Sequence, residues 1–407
     1  MVAGRDRHLD AGLRPPVESR ADREHDPVLG RRLVGAGRDD QPGLANAVGL
    51  ELLDHDAVEE GSQLLAHAKR VVGVGGAPLI PSAAMIDPLA RWAAHGEKPD
   101  FTGLLSFAGQ RYTEDPDDLP GVDVAIVGAA TDELVSDRPG ARMAPRAIRA
   151  AGAPPGRHLA AGIDAFAALR VVDFGDAPVQ PGDVLATAAA IERIVGEVVG
   201  AGAIPVILGG DHSIAEPDMR AVAARHGPLG LVHFDAHADT AAQVFGVARS
   251  HGTTMRRLVE DGTIDPVRYV QVGLRGYWPD ETVFAWQREQ GITSLFMHDI
   301  LAMGIEEAVG RATAIVGSGP AFISIDIDVA DPSVAPGTGT PEPGGLGAAD
   351  LLWAARALAR ELEVVGAELV EVIPSAIGSG DVTALLADRI VRELLTGIAL
   401  RREAGER

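Results

Sequence analysis

Cysteine is absent from the 407 residues. That excludes disulfides, thiolate metal sites and a cysteine nucleophile, so any metal must sit on oxygen and imidazole. Aromatic residues make up only 4% of the chain, and the first 84 residues hold none; the 4 Trp, 3 Tyr and 9 Phe all lie beyond them. A segment without aromatics buries little apolar area to offset its ordering entropy. Residues 1–84 are therefore expected to be a poorly ordered or misassigned extension, with Met85 as the alternative start of a single domain spanning 85–407. Within the extension, Val71–Gly76 is only faintly like a dinucleotide loop, because no helix-like segment follows it. Long apolar runs are missing too: none reaches about 18 residues uninterrupted by Gly or Pro, and no apolar stretch follows the N-terminal basic residues. A soluble, cytoplasmic protein without a membrane partner is the expectation. Positive charge is in deficit, with 36 Lys and Arg against 58 Asp and Glu and a formal net charge of −22. That field repels phosphate backbones, which argues against nucleic acid, and it attracts small cations.

What the chain does have is 46% hydrophobic residues, enough for one large α/β domain or two smaller ones. From about Val122 onward, short apolar runs alternate with Ala-rich helical stretches. The runs are Val122–Gly128, Leu169–Phe174, Ile204–Leu208, Leu229–Phe234, Tyr269–Val272, Ala321–Ile327 and Glu368–Val372. Most are nearly continuous in Val, Ile and Leu, as strands buried on both faces of a parallel sheet are. Between them lie helical stretches such as Ala186–Gly200 and Ala348–Glu363. This alternation predicts an α/β fold, a three-layer α/β/α sandwich around a mostly parallel sheet. Ligands of such sheets bind outside the carboxyl ends of the strands.

Polar clusters fall at those ends: Gly209–Ser213, His233–Asp239, Ser324–Asp328 and Val370–Pro374. If the chain is extended there, residues i, i+2 and i+4 point to one side. Asp235, His237 and Asp239 then converge, and so do Asp326 and Asp328. Like-charged carboxylates in one apolar pocket repel and raise each other's pKa unless cations neutralise them. Four aspartates with His212 and His237 form an oxygen-and-imidazole set that suits manganese, with nickel, cobalt or zinc allowed. Six ligands are too many for one catalytic ion with an open position, whereas two ions bridged by a carboxylate fit. A lone buried Asp or His is ordinarily a satisfied structural group; this many at matched spacing is not. His251 on its own reads as a loop histidine, and Glu371 as a charge in an apolar strand end that needs a partner. His226 and His298 read as surface residues.

These clusters resemble the ureohydrolase family, which includes arginase, agmatinase, guanidinobutyrase and proclavaminate amidinohydrolase. The likeness runs from about Phe101 to the C-terminal helix. Phe101–Phe107, Ser136–Arg142 with Pro145–Arg149, and above all Asp326–Gly345 (DIDVADPSVAPGTGTPEPGG) carry it, closest to the agmatinase branch. The resemblance implies a catalytic domain that cleaves the guanidinium group of a small guanidino substrate to urea and an amine, as agmatine gives putrescine. It further implies two Mn2+ per chain, with Ni2+ as the alternative. His212 and Asp239 would bind one ion, His237 and Asp328 the other, and Asp235 and Asp326 would bridge. Asp239 would also orient the hydroxide nucleophile. His251 would pass a proton to the leaving amine, and Glu371 would offer the guanidinium two parallel acceptors. A homo-oligomer, trimer or hexamer, is implied as well.

Departures from the family pattern bear on the substrate. Arginases place Asn where this chain has Ala241, so arginine is a poor candidate. Leu134-Val135 replaces the usual Gly-Thr, Ala144 a Gly, and Ala108 a frequent Met, all around the presumed pocket. Arg275–Pro279 is an aromatic-rich turn placed to line the same rim. The alternatives are a nickel-dependent guanidine or biguanide hydrolase, a guanidino-acid hydrolase such as guanidinobutyrase, a one-zinc deacetylase, and a non-catalytic subunit. Metal count per chain separates the deacetylase, and retention of all six ligands speaks against the subunit.

Overall fold

The computed structural model describes residues 102–375 and 381–405. The expected extension over 1–84, the Val71–Gly76 loop and Met85 lie outside the described residues. Nine strands form one sheet: β1 (Arg111–Tyr112), β2 (Val124–Gly128), β3 (Val171–Asp176), β4 (Ile204–Leu208), β5 (Leu229–Phe234), β6 (Ile264–Leu274), β7 (Thr293–Phe296), β8 (Pro320–Asp326) and β9 (Glu363–Val370). Their order is β1-β3-β2-β4-β9-β8-β5-β6-β7, and every neighbouring pair is parallel. All seven apolar runs are strands. Two further strands, β1 and β7, are the edges of the sheet; half-covered edges do not need a continuous apolar run, which is why the pattern misses them. The last strand begins at Glu363 rather than Glu368 and stops before Glu371. Gly366 within it reads as a breaker, but a Cβ there would lie 2.7 Å from the Phe322 ring, so the glycine is a packing requirement.

Ten α-helices accompany the sheet among the described residues: α1 (Ala144–Ala151), α2 (Ala165–Ala168), α3 (Val184–Ala201), α4 (Ala215–His226), α5 (Thr254–Glu260), α6 (Glu281–Gln290), α7 (Met297–Met303), α8 (Ile305–Val316), α9 (Ala348–Glu361) and α10 (Val382–Glu403). Alternate residues of one strand feed opposite layers. Val206 and Leu208 pack with Ile148, Leu351, Ile390 and Leu394 of α1, α9 and α10. Ile207 packs with Ile191, Met219 and Met255 of α3, α4 and α5. Truncating one such fully buried aliphatic side chain to Ala costs about 2–5 kcal/mol. Helix α3 shows its signals at both ends: Asp183 accepts from Ala186 N, and Gly202 follows in the left-handed conformation. No described helix is long and apolar enough to cross a membrane.

The connectivity positions the site. From β4 the chain passes through α4 to β5 and leaves a gap that β9 and β8 later fill. The carboxyl ends of β4, β9, β8 and β5 thus stand side by side, at the kind of switch point where parallel sheets bind ligands.

Candidate metal centre and active site

The aspartate clusters converge, but not by strand alternation. β5 stops at Phe234, and Ile327–Val329 form a 3-10 turn directly after β8. Three of the clusters instead contain an aspartate whose Oδ1 accepts the amide two residues on: Asp211 from Ser213 N at 2.9 Å, Asp235 from His237 N at 2.6 Å, Asp326 from Asp328 N at 2.9 Å. Such side-chain turns are a local habit of Asp. They curl the chain so that Asp235 and His237, and likewise Asp326 and Asp328, face the same space, which an extended strand was expected to do. Asp239 reaches it through a left-handed backbone, φ 50°.

All six expected ligands meet there. His212 Nδ1 lies 3.0 Å from Asp239 Oδ2, 3.3 Å from Asp235 Oδ2 and 3.4 Å from Asp326 Oδ2. His237 Nδ1 lies 3.0 Å from Asp328 Oδ2 and 3.5 Å from Asp235 Oδ1. Ligand atoms within coordination range fall into two groups, His212–His233–Asp235–Asp239 and Asp235–His237–Asp328, and Asp235 belongs to both. His212 Nδ1 is fully buried and makes no well-formed hydrogen bond to any described residue, although three carboxylate oxygens surround it. A buried ring nitrogen ringed by three carboxylate oxygens is a position that a cation would occupy, and the donor set fits a hard-to-borderline divalent ion. The electrostatics agree. Burial, then the charges of Asp328 and Asp235, raise Asp326 well above the carboxylate range, and burial with Asp235 raises Asp328. Burial alone would depress His237, but Asp328 and Asp235 push it up to about 12. Cations between these groups would relieve that repulsion.

Glu371 and His251 sit beside the cluster. Glu371 Oε1 accepts from His212 N at 2.9 Å and from His251 Nδ1 at 2.8 Å. Oε2 is buried with no partner among the described residues. One oxygen is therefore free for a substrate, not the two parallel acceptors expected, because the other is engaged in holding His212 and His251. The far side of His251 meets Ser136: Nε2 is 2.8 Å from Ser136 Oγ and 3.1 Å from Ser136 N. The Ser136 amide favours a neutral ring and the Glu371 carboxylate a charged one; the charged and closer partner dominates. His251 N donates to Leu134 O (3.1 Å), and Leu134 N donates to Asp211 Oδ2 (3.0 Å). Leu134-Val135, the departure from Gly-Thr, thus lies on the loop that seats His251. Ala241 is buried and offers no polar side-chain atom. The aromatic turn comes up to the cluster. Trp278 stands edge-on to His237, ring centroids 6.1 Å apart, and covers Gly252, where a Cβ would come within 3.0 Å of the indole. His226 and His298 are exposed, as expected.

Several polar residues around the cluster have no role assigned by the sequence. His233 Nε2 lies 2.9 Å from Asp235 Oδ2, and Ser324 Oγ lies 2.8 Å from His212 Nε2. Glu368 Oε1 is 3.6 Å from the same nitrogen and faces Asp218, which burial and then Glu368 raise well above the carboxylate range. Thr340 Oγ1 donates to Asp328 Oδ2 at 3.3 Å. The available signal was a polar residue interrupting an apolar strand, since such a residue needs a buried partner.

Known proteins are similar to this chain over most of its length. The Arginase family matches residues 122–397. Guanidinopropionase of Pseudomonas aeruginosa is 41% identical over 307 residues, covering 74% of this chain and 94% of that protein. Agmatinase of Chromobacterium violaceum is 37% identical over 311 residues, covering 75% of this chain and 92% of that protein. The structure of proclavaminate amidinohydrolase from Streptomyces clavuligerus superposes with a TM-score of 0.70 at 34% identity, covering 75% of this chain and all of that one. With these relatives and a His/Asp cluster able to hold metal, the chain belongs to the arginase family of binuclear-metal hydrolases.

Proposed function

We propose that this enzyme hydrolyses a small guanidino compound to urea and an amine, with agmatine as the leading substrate and putrescine as its product. The observation that carries the reading is Glu371 Oε2, a buried acceptor without a donor beside an acid-lined cluster, where a guanidinium N–H would complete it. In this reading His212, Asp235, His237, Asp239, Asp326 and Asp328 hold two divalent ions, Mn2+ first and Ni2+ as the alternative. Two such cations lower the pKa of water enough to supply hydroxide near neutral pH. Glu371 orients the planar guanidinium, Asp239 orients the nucleophile, and His251 gives the proton that the leaving nitrogen needs as its bond to the guanidinium carbon breaks. Assembly into a trimer or hexamer belongs to the same proposal, and light scattering tests it.

A guanidino acid is the second reading, favoured by the similarity to guanidinopropionase and guanidinobutyrase. Against it stands Ala241, which gives a carboxylate nothing to bond. One experiment decides: urea release from agmatine, 3-guanidinopropionate, 4-guanidinobutyrate, arginine, guanidine and a biguanide, after loading with manganese or nickel in parallel. The expected outcome is two ions per active chain and highest kcat/KM on agmatine, with Asp326→Ala losing ions and activity together. Highest efficiency on a guanidino acid would transfer the conclusion to the second reading, and one ion per active chain would end both.

A further inference from the structure

Beneath the candidate ligands runs a row of buried polar side chains to which the sequence alone assigns no role. Gln271, His233, Ser324 and Glu368 stand in register on β6, β5, β8 and β9. At the β6 end of this row one backbone carbonyl sets the direction of the hydrogen bonds that lead to His233. The carbonyl of Ala238 can only accept, so the group of Gln271 that lies 2.7 Å from it is the amide nitrogen. The same nitrogen gives its second hydrogen to Tyr269 Oη at 3.0 Å. Gln271 Oε1 meanwhile accepts from Gln287 Nε2 at 2.9 Å, whose other hydrogen goes to Thr240 Oγ1 at 2.6 Å. Having accepted, the Tyr269 hydroxyl must place its own proton, and His233 Nδ1 is 2.9 Å away. His233 is then bare at Nδ1 and protonated at Nε2, which faces Asp235 Oδ2 at 2.9 Å. A doubly protonated ring would leave the tyrosine proton without an acceptor among the described residues. Burial keeps that phenol protonated, and Tyr269, Gln271 and His233 are all fully buried.

We infer that His233 is a positioning residue: it accepts from Tyr269 at Nδ1, donates its Nε2 hydrogen to Asp235 and stands outside the metal-ligand set. Proximity alone would count it as a ligand, since it belongs to one of the two metal-competent groups. With one nitrogen accepting from Tyr269 and the other carrying a proton, it has no lone pair for a cation. What it does is hold the carboxylate that both groups share, the one whose tilt affects both ion positions. The inference rests on the proposed role of Asp235 as a ligand.

The test uses the full-length chain loaded with diamagnetic zinc. Nitrogen-15 NMR of the histidines should find His233 protonated at Nε2 and bare at Nδ1, with or without zinc. Chelator competition should show His233→Leu losing roughly 10–100-fold in ion affinity. His233→Gln, whose amide can still donate to Asp235, should stay within about threefold of the unmodified chain by the same yardstick. A zinc-dependent shift marking Nε2 as metal-bound, or His233→Leu binding as tightly as the unmodified chain, would overturn the inference. If His233→Leu does not fold, the tautomer in the unmodified chain decides alone. Undiminished binding of both ions by Asp235→Asn would instead sink the parent reading of Asp235.

Discussion

Two residues of the site, Asp239 at φ 50° and Glu371 at φ 62°, hold a left-handed backbone that side chains other than glycine avoid. Each costs on the order of 1–3 kcal/mol and persists only where surrounding bonds enforce it. Here Asp239 O accepts from Met255 N at 3.1 Å and Glu371 N donates to Gly210 O at 2.8 Å. That strain aims Glu371 at His251 and the space beside the cluster. Glu371→Gln keeps the shape and removes the charge, and breaking a buried charge-assisted pair should cost roughly 3–5 kcal/mol, a hundredfold or more in kcat/KM. The loss should appear for every guanidino substrate at constant ion content; an unchanged kcat/KM would remove Glu371 from substrate binding. His251 carries the next prediction. Burial alone would lower its pKa, but the Glu371 carboxylate pushes it up to about 9. If the imidazolium supplies the proton, turnover holds below that value and falls as pH rises through it. In Glu371→Gln the residual activity should lose its alkaline limb at lower pH, because the support for the charged ring is gone. His251→Asn should lower kcat by about 10²–10⁴ with ions still bound; an intact rate and unaltered profile would place the proton donor elsewhere.

At the scale of elements, the sequence was most readable where one physical rule acts alone. Runs of Val, Ile and Leu located seven strands because both faces of those strands are covered, whereas β1 and β7 lacked the signal by lying at the edges. In the site, the Asp-x-Asp and Asp-x-His spacings picked out residues that do converge, but for a different reason: the aspartates close side-chain turns past the strand ends. The supporting row of Gln271, His233, Ser324 and Glu368 was illegible because it exists only once four strands, far apart in the chain, take up a common register. The turn after β6 lies between these cases, with aromatic content visible in sequence and orientation supplied by tertiary bonds. Arg275 Nη2 donates to Asp328 O and Glu342 O, both at 2.6 Å, which pins the turn to the metal-site loop and brings Trp278 across to Gly252. An indole beside His237 would carry the methylenes or cationic end of a substrate tail. Trp278→Ala should therefore raise KM for agmatine about 5- to 30-fold, the equivalent of a 1–2 kcal/mol contact. Guanidine itself, which has no tail, should be turned over as before. Equal losses on both compounds would mean that the tryptophan supports the loop and does not touch the tail.

For the whole molecule, composition and charge make the claims. The family match begins at residue 122, and the aromatic-free residues 1–84 have little to bury, so their removal should leave kcat/KM within about twofold and the melting temperature within a few degrees. Insoluble protein after truncation would show that the segment packs on the domain. The formal charge of −22 makes a stronger statement about substrate. A net negative chain concentrates cations around itself, and this long-range part of association is screened once the Debye length falls to about 8 Å at physiological salt. Agmatine carries two positive charges, whereas a guanidino acid carries one of each sign and feels little net pull. Raising ionic strength from about 0.01 M to about 0.5 M should therefore lower kcat/KM for agmatine several-fold, with kcat unchanged. The same titration with 4-guanidinobutyrate should give a nearly flat line. The slope reports on encounter rather than on chemistry, so the comparison is meaningful even if absolute rates differ between the two compounds. A flat or rising response for agmatine would mean that the acidic field plays no part in its capture, and the preference for a cationic tail would then have to rest on Trp278 and the pocket wall alone.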